Sequence, residues 1–383
     1  MSFTQVNHYV PQWYQRRFLS DCVEEKKLFY LDLKPERIAH SDGGHHYRTQ
    51  CRRLGPVSCF YDLNLYTLFF KEKASDVIEK NFFGRIDSFG ALATEFFREY
   101  IFNDKTENAI LGLVPYLGAQ KFRTPKGLDY LKARTPGGSH QQALILMGKL
   151  IHHYATIWTE GVWEVLNCDD SPTQFILSDN PVTTFNKDLP PESLLCTYPL
   201  DAPVELLGSH TVFPLAPNRC LVITNLGYVR NPAINRLQER TNPRYSSSTI
   251  FDMRMVQTGR KVFEDEVRAI NFIIKARSRK YIAAPVKDWL FPEKFLKTTK
   301  WNELGGDFFL MPDPRKIHFT SGIFAGVDSG PSWASDEYGR FPNDNDSRIA
   351  AERDLEWKSF QKHKKAWDDR YGPVPPEEMH KFF

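Results

Sequence analysis

From Ala74 to Tyr100 the apolar residues Ile78, Phe82, Ile86, Phe89, Ala93, Phe96 and Phe97 recur at three- and four-residue steps. That spacing places them on one face of a long helix, and the face must be buried. Similar reasoning predicts a second helix over Glu107–Phe122, kinked or interrupted at Pro115. A third is predicted over Gln141–Thr159, after the helix-stopping Thr-Pro-Gly-Gly at 135–138. Beyond residue 160 the pattern changes. Val162–Leu166, Gln174–Leu177, Val212–Leu215 and Cys220–Thr224 are short apolar runs bounded by Asp, Asn and Pro, as in strands of a sheet. Lys27–Leu33 and Val57–Tyr61 read as earlier strands, and Gly43–His46 and the Pro-rich Asn186–Pro203 as loops. A further helix is predicted over Glu264–Tyr281, with Lys275, Arg277, Arg279 and Lys280 near its end, where cations suit the helix dipole. The expected class is α+β, with a mainly helical first half and a mixed or antiparallel sheet in the second.

After Gly306 the composition shifts, and Gly, Pro, Ser, Asp and Asn dominate Ser329–Ser347 as in a linker or extended loop. The chain therefore divides into a main domain at 1–305 and a polar extension at 306–383 ending in an amphipathic helix, Asp346–Tyr371. On that helix Trp357, Phe360, Lys364, Trp367 and Tyr371 form a largely aromatic stripe. Such a stripe docks on its own domain, or on a second copy or a protein partner through Trp357, Phe360 and Trp367. No repeat of 20–50 residues is visible, which argues against solenoids and propellers.

Composition narrows the classes. Apolar residues at 41% and charged residues at 25% are ordinary for a folded protein, while 29 Phe and 16 Tyr raise the aromatics to 14%. The net charge of +3 supplies no global field for nucleic acid, so any anion site must be local. The most apolar run, Ile110–Ala119, is half a membrane span and contains Pro115, which argues against a membrane protein. Six cysteines without a C-x-x-C pair, behind a polar opening, suggest reduced thiols and a cytoplasmic location.

Chemistry concentrates in short motifs. Asn7-His8-Tyr9-Val10-Pro11-Gln12, followed by Arg16-Arg17-Phe18, combines hydrogen-bonding and stacking side chains. Near the arginines His8 would stay neutral, as a general base requires; the structural alternative is that His8 and Gln12 tie the terminus down. In Ser178-Asp179-Asn180-Pro181-Val182 a strand runs into an Asn-Pro turn and leaves the Asp179 carboxylate at its end, for catalysis or for an Asx turn. Gln120-Lys121-Phe122-Arg123-Thr124-Pro125 ends a helix with two cations, so Arg123 either complements the dipole or grips a phosphate or carboxylate. His45-His46 with Cys51 and Cys59 lack the pairwise spacing of zinc sites, and the adjacent His152-His153 diverge on a helix. No Walker A, G-x-G-x-x-G, G-x-S-x-G or H-E-x-x-H sequence occurs.

These boxes together resemble the domain-of-unknown-function family 4238 of bacterial proteins. The resemblance runs over about residues 7–285 and adds Trp163, Pro214-Leu215-Ala216-Pro217, and Asn271 with Ala276. It departs at Gln15, where an aliphatic residue is usual, which suggests a more exposed side there. A family without an assigned function supports a domain rather than a chemistry. The leading expectation is an enzyme acting on a phosphate-containing substrate, a nuclease or nucleotide hydrolase. His8 and Asp179 would be catalytic, and Gln12, Arg16, Arg17, Gln120, Arg123, Asn180 and Asn271 would bind substrate. A divalent metal is left open as a cofactor. The alternative is a recognition or scaffold module in a bacterial stress or phage-defence assembly.

Overall fold

In the computed structural model the residues described are 6–19, 26–39, 45–63, 65–66, 68–70, 73–75, 83–196, 201–240, 256–319, 322–325, 330, 333–336 and 347–375. Period-two alternation organises the centre. Strands β1 (Leu28–Asp32), β2 (Cys51–Leu54), β3 (Gly161–Asn167), β4 (Leu177–Ser178), β5 (Thr183–Asn186), β6 (Ser209–Ala216), β7 (Arg219–Asn225) and β8 (Tyr281–Ala284) make two four-stranded antiparallel sheets, ordered β5-β6-β7-β3 and β4-β8-β1-β2. On β6 and β7, Phe213, Leu215, Leu221 and Ile223 face one apolar cluster while Val212, Cys220 and Val222 face another. The first sheet is thus buried on both faces, which explains why these strands read as continuous apolar runs.

The first face is covered by α1 (Gly84–Arg98), α2 (Thr106–Phe122) and α4 (His140–Thr159), which contribute Phe97, Tyr116, Leu117 and Trp158 to the larger cluster. Helix α2 is buried around almost its whole circumference and carries Pro115 without ending there. Between α2 and α4 lies α3 (Pro125–Ala133), absent from the sequence reading. Thr124 caps it by accepting the Gly127 N–H at 3.1 Å, and Pro125 occupies its first turn. A side chain at Gly127 would bring its Cβ to 2.6 Å from the Phe122 Cα, so glycine alone permits the close turn between α2 and α3. The second cluster is covered by α5 (Glu264–Arg277), through Val267, Ile270, Ile273 and Ile274.

The class is α+β, and the pairing is antiparallel throughout both large sheets. The halves are not segregated, because β1 and β2 from the helical half pair alongside β8 and β4. The helix expected over 74–100 is α1 at 84–98; Lys73–Ser75 is a short strand, and 76–82 lie outside the described residues. Pro56 turns Pro56–Ser58 into a 3-10 helix, so the strand expected over Val57–Tyr61 starts only at Tyr61. The expected strand Gln174–Leu177 shrinks to Leu177–Ser178, because the Ile176 N–H donates to the Asn271 side chain at 3.2 Å. Helix α5 stops at Arg277 and releases Tyr281 into β8. His45 and His46 fall in a short strand, Gly43 and Gly44 outside the described residues, as does most of Ser329–Ser347.

The last helix, α6 (Ser347–Tyr371), lies on the same molecule. Phe360 is buried with Val162, Val229 and Ile317, and Trp367 with Leu207, Tyr228 and Met311. Trp357 meets Phe319 edge-on at 4.9 Å. Arg315 clamps the end of the helix, donating to Asp368 at 2.9 Å and to the Gly372 carbonyl at 2.5 Å. Phe360 and Trp367 are therefore core residues rather than an oligomer or partner surface. No helix among the described residues is long and apolar enough to cross a membrane.

Candidate functional site

The opening motif is held on its own element. A short helix, Gln12–Arg16, starts after Pro11, and its turn brings Gln12 within 3.4–3.5 Å of the His8 ring. Arg16, exposed, donates to Gln12 Oε1 at 2.9 Å. His8 Nε2 lies 3.1 Å from the Val57 carbonyl oxygen. Its pKa is lowered, chiefly by burial, with the Arg16 charge acting in the same direction. The arginine charge expected to favour the neutral ring acts in that direction, but desolvation is the larger cause. Arg17 turns away, stacks on Trp13 and donates to Thr94 Oγ1 at 2.7 Å and the Ala91 carbonyl at 2.8 Å. Gln15 is fully buried and donates to the carbonyls of Val10 at 2.8 Å and Cys59 at 3.2 Å. The exposure expected at Gln15 is thus reversed: its amide bonds main chain that an aliphatic side chain could not.

Gln120 and Arg123 form a second, internal node. Gln120 donates to the Tyr9 carbonyl at 2.9 Å and accepts from Arg123 Nε at 2.8 Å. Arg123 is 1% exposed, donates to Asp87 at 2.8 Å, and lies between the rings of Phe83 and Tyr116. Its fork is occupied by protein, so Arg123 joins the N-terminal segment, α1 and α2. Asn271 is similar, bonding the main chain of Gln174 and Ile176 from α5.

Asp179 and Asn180 lie under a different region. Asp179 is buried, and its two oxygens accept N–H bonds from Arg279 at 2.8 Å, Lys280 at 2.6 Å and Tyr281 at 2.8 Å. Burial raises its pKa despite those three bonds. With both oxygens on main chain, Asp179 fixes the turn between α5 and β8 rather than presenting a carboxylate to solvent. Asn180 donates to Asp201 at 3.0 Å and to the Arg277 carbonyl at 3.4 Å.

Asp201 is the centre of this foundation. Its side chain is inaccessible and is ion-paired to Lys121 and, at 2.5 Å, to Lys126; the Thr184 N–H donates to it at 3.1 Å. Desolvation would raise its pKa, but Lys121, Lys126 and Arg277 outweigh it and hold the carboxyl well below the usual range. Burial pulls Lys121 down to about 8 against the attraction of Asp201. Lys126 also donates to the Arg277 carbonyl at 2.5 Å, capping the negative end of α5.

Above this foundation opens a cleft of about 740 Å³. Lys126 and Arg277 are its buried cations, Lys34 and Arg279 its exposed ones, and Lys280 lies between; Glu192 is the one carboxylate among the lining residues. The neutralising groups Asp32, Asp129, Asp179 and Asp201 do not line the cleft. Arg279 pairs with Asp129 at 2.7 Å and Lys280 with Asp32 at 3.8 Å. Arg277 donates to the Leu189 carbonyl at 2.6 Å and to Cys196 Sγ at 3.3 Å, while its guanidinium stacks on Trp301. The arrangement sets cationic side chains around a partly desolvated space, where charge interactions exceed their strength in water.

Of the residues expected to share one pocket, Asp179 and Asn180 support the cleft from beneath. His8, Gln12, Arg16, Arg17, Gln120, Arg123 and Asn271 are not among its lining residues. Sequence reasoning assigned the cations at 275, 277, 279 and 280 to the helix dipole and passed over Lys126 and Asp201. The alternation Arg277-Ser278-Arg279-Lys280 at a helix end was the available signal. Among the described residues no group of three or more His, Cys, Asp or Glu is placed to hold a metal ion.

Residues 119–288 match the family described as "Protein of unknown function (DUF4238)". The match takes in α2 from Ala119 onward, α3, the Asp179 and Asp201 foundation and the turn after α5, and it begins after the His8 motif. No curated protein and no solved structure matches the chain.

Proposed function

We propose, on the premise that the chain carries a domain of the DUF4238 family, that it binds a phosphate-bearing ligand in the cleft above Asp201. One observation carries the reading: five cationic residues and one carboxylate line a single cleft, with the compensating carboxylates set behind its wall. Asp179 supports it by fixing three consecutive N–H groups of that wall, and Asp201 by holding Lys126 in place. Phosphate recognition uses such fixed cations. Hydrolysis of the ligand, by contrast, would need a base other than His8, which is engaged with Val57 and Gln12 away from the lining.

The test is calorimetric titration of phosphate compounds into the parent and into Arg279→Ser combined with Lys280→Ala, whose replaced side chains are partly exposed and leave the main-chain bonds to Asp179 intact. The parent should bind saturably and less tightly at higher salt, and the double variant at least tenfold more weakly with unchanged thermal stability. Equal binding by both, or no binding by the parent, would remove the cleft as the site. Product analysis in the same samples reports turnover.

A further inference from the structure

Resting on the phosphate-binding reading, we infer that the ligand is the phosphate headgroup of an anionic lipid, met while the rim of the cleft lies on a bilayer surface. The loop from Leu189 to Cys196 carries the inference. Its two feet are buried, Leu189 and Cys196 packing with Ala202 and Leu206. Arg277 pins both feet, donating to the Leu189 carbonyl at 2.6 Å and to Cys196 Sγ at 3.3 Å. Between them two turns close in succession, the Ser193 N–H donating to the Pro190 carbonyl and the Cys196 N–H to the Ser193 carbonyl, each at 3.0 Å. The Ser193 hydroxyl accepts the Leu195 N–H at 3.3 Å. The tip is thus fixed by its own main chain, and it presents Leu194, 98% exposed, and Leu195, 55% exposed. Single exposed leucines are ordinary on a protein surface. Two in sequence, on a turn held at both feet, form an apolar point that the fold leaves uncovered.

Charge complementarity names what covers it. Leu194 lines the cleft together with Lys34, Arg279 and Lys280, the first two exposed and the third partly so. Apolar and cationic side chains therefore share one rim, with Glu192 the one opposing charge of the described lining. Arg279 pairs with Asp129 between partly exposed side chains, and Lys280 reaches Asp32 at 3.8 Å. Such pairs contribute little, so an anionic surface competes for both cations. A bilayer with anionic headgroups supplies both partners at once: apolar side chains enter the boundary between headgroups and acyl chains, while Lys and Arg beside them meet lipid phosphates. A soluble phosphate would use the cations and leave Leu194 and Leu195 in water, so the leucines select the lipid as the source of the phosphate. The contact lies on the bilayer rather than crossing it, and calls for no spanning helix.

The experiment sediments the parent chain with vesicles of phosphatidylcholine alone and of phosphatidylcholine mixed with phosphatidic acid. Calorimetry in parallel titrates glycerol 3-phosphate, the same headgroup without acyl chains. Both measurements are repeated with Leu194→Ser combined with Leu195→Ser, whose replaced side chains are exposed and leave thermal stability unchanged. The parent should bind the phosphatidic acid vesicles at least tenfold more tightly than the phosphatidylcholine ones. The leucine variant should bind those vesicles at least tenfold more weakly and keep its affinity for glycerol 3-phosphate, a split that a general disturbance of the cleft would not produce. Equal vesicle binding by parent and leucine variant, equal binding of the two vesicle types, or no vesicle binding by a parent that binds glycerol 3-phosphate would overturn the lipid inference and leave phosphate binding in place. Vesicle binding that survives Arg279→Ser combined with Lys280→Ala would overturn it too, by placing the contact away from the cleft. Failure of glycerol 3-phosphate and of both vesicle types would overturn the phosphate reading itself.

Discussion

Asp201 shows what a single buried residue contributes here. It accepts from Lys121, Lys126, Asn180 and the Thr184 main chain, so its loss strands two ammonium groups in the interior. Removing one member of a buried ion pair costs about 3–5 kcal/mol, far more than an exposed pair contributes. Asp201→Ala should destabilise the chain by about that amount, as measured by urea unfolding. An effect below about 1 kcal/mol would show that the lysines escape to solvent and that the foundation of the cleft is not fixed. Nothing in the sequence singles out Asp201: it sits in a Pro-rich loop, and its two lysine partners are 75 and 80 residues away. Arg123 illustrates the complementary error. A guanidinium near a helix end has the residue type of a phosphate clamp, yet tertiary packing places it between two rings with Asp87 and Gln120 on its fork. Residue type identifies what a side chain can hold, and only the fold decides whether protein holds it first.

Elements were legible where periodicity was long. Helices α2, α4 and α6 start within a residue of the expectation and end where it placed them, since three or more turns of apolar spacing outweigh one proline or a few polar residues. Short elements were not. Helix α3 has nine residues and charged positions that mask its pattern, and β4 has two residues whose neighbours bond a side chain instead. The aromatic stripe of α6 was legible as a docking face, but its partner was not, because a stripe specifies apolarity and not the surface that meets it. That surface is the chain's own Val162, Val229 and Ile317. Phe360→Ala should cost about 3–5 kcal/mol, the usual loss for a fully buried phenylalanine. Limited proteolysis should then cut within 347–375 faster than in the parent while α2 and α4 remain protected. Equal cleavage rates would mean that α6 is held by Arg315 and the remaining aromatic contacts instead.

At the scale of the molecule the interior holds neutral histidines whose charging opposes folding. His210 is 4% exposed and donates or accepts at Thr224 Oγ1 over 2.9 Å; burial and then Arg236 pull its pKa down to about 3. His363, on α6 against Phe308 and Trp367, is lowered by burial to about 4, although Asp313 acts to raise it. A histidine with a folded pKa below its unfolded value near 6.5 binds its proton first in the unfolded chain. Stability is therefore complete above about pH 6.5 and is lost as the pH falls toward the folded value. Buried carboxyls divide. Asp201, held low, loses its contribution only below the unfolded carboxyl range, whereas Asp179 and Glu164, raised by burial, act in the opposite sense to the histidines. The difference between parent and variant isolates one group from this sum. Between pH 6 and pH 5 the parent should lose up to about 1.4 kcal/mol per pH unit more than His363→Phe, the value of one proton taken up on unfolding. Denaturant unfolding at a series of pH values measures both slopes. Parallel slopes would mean that His363 reaches solvent before the chain unfolds, which would make α6 an element that opens on its own, ahead of the sheets it covers.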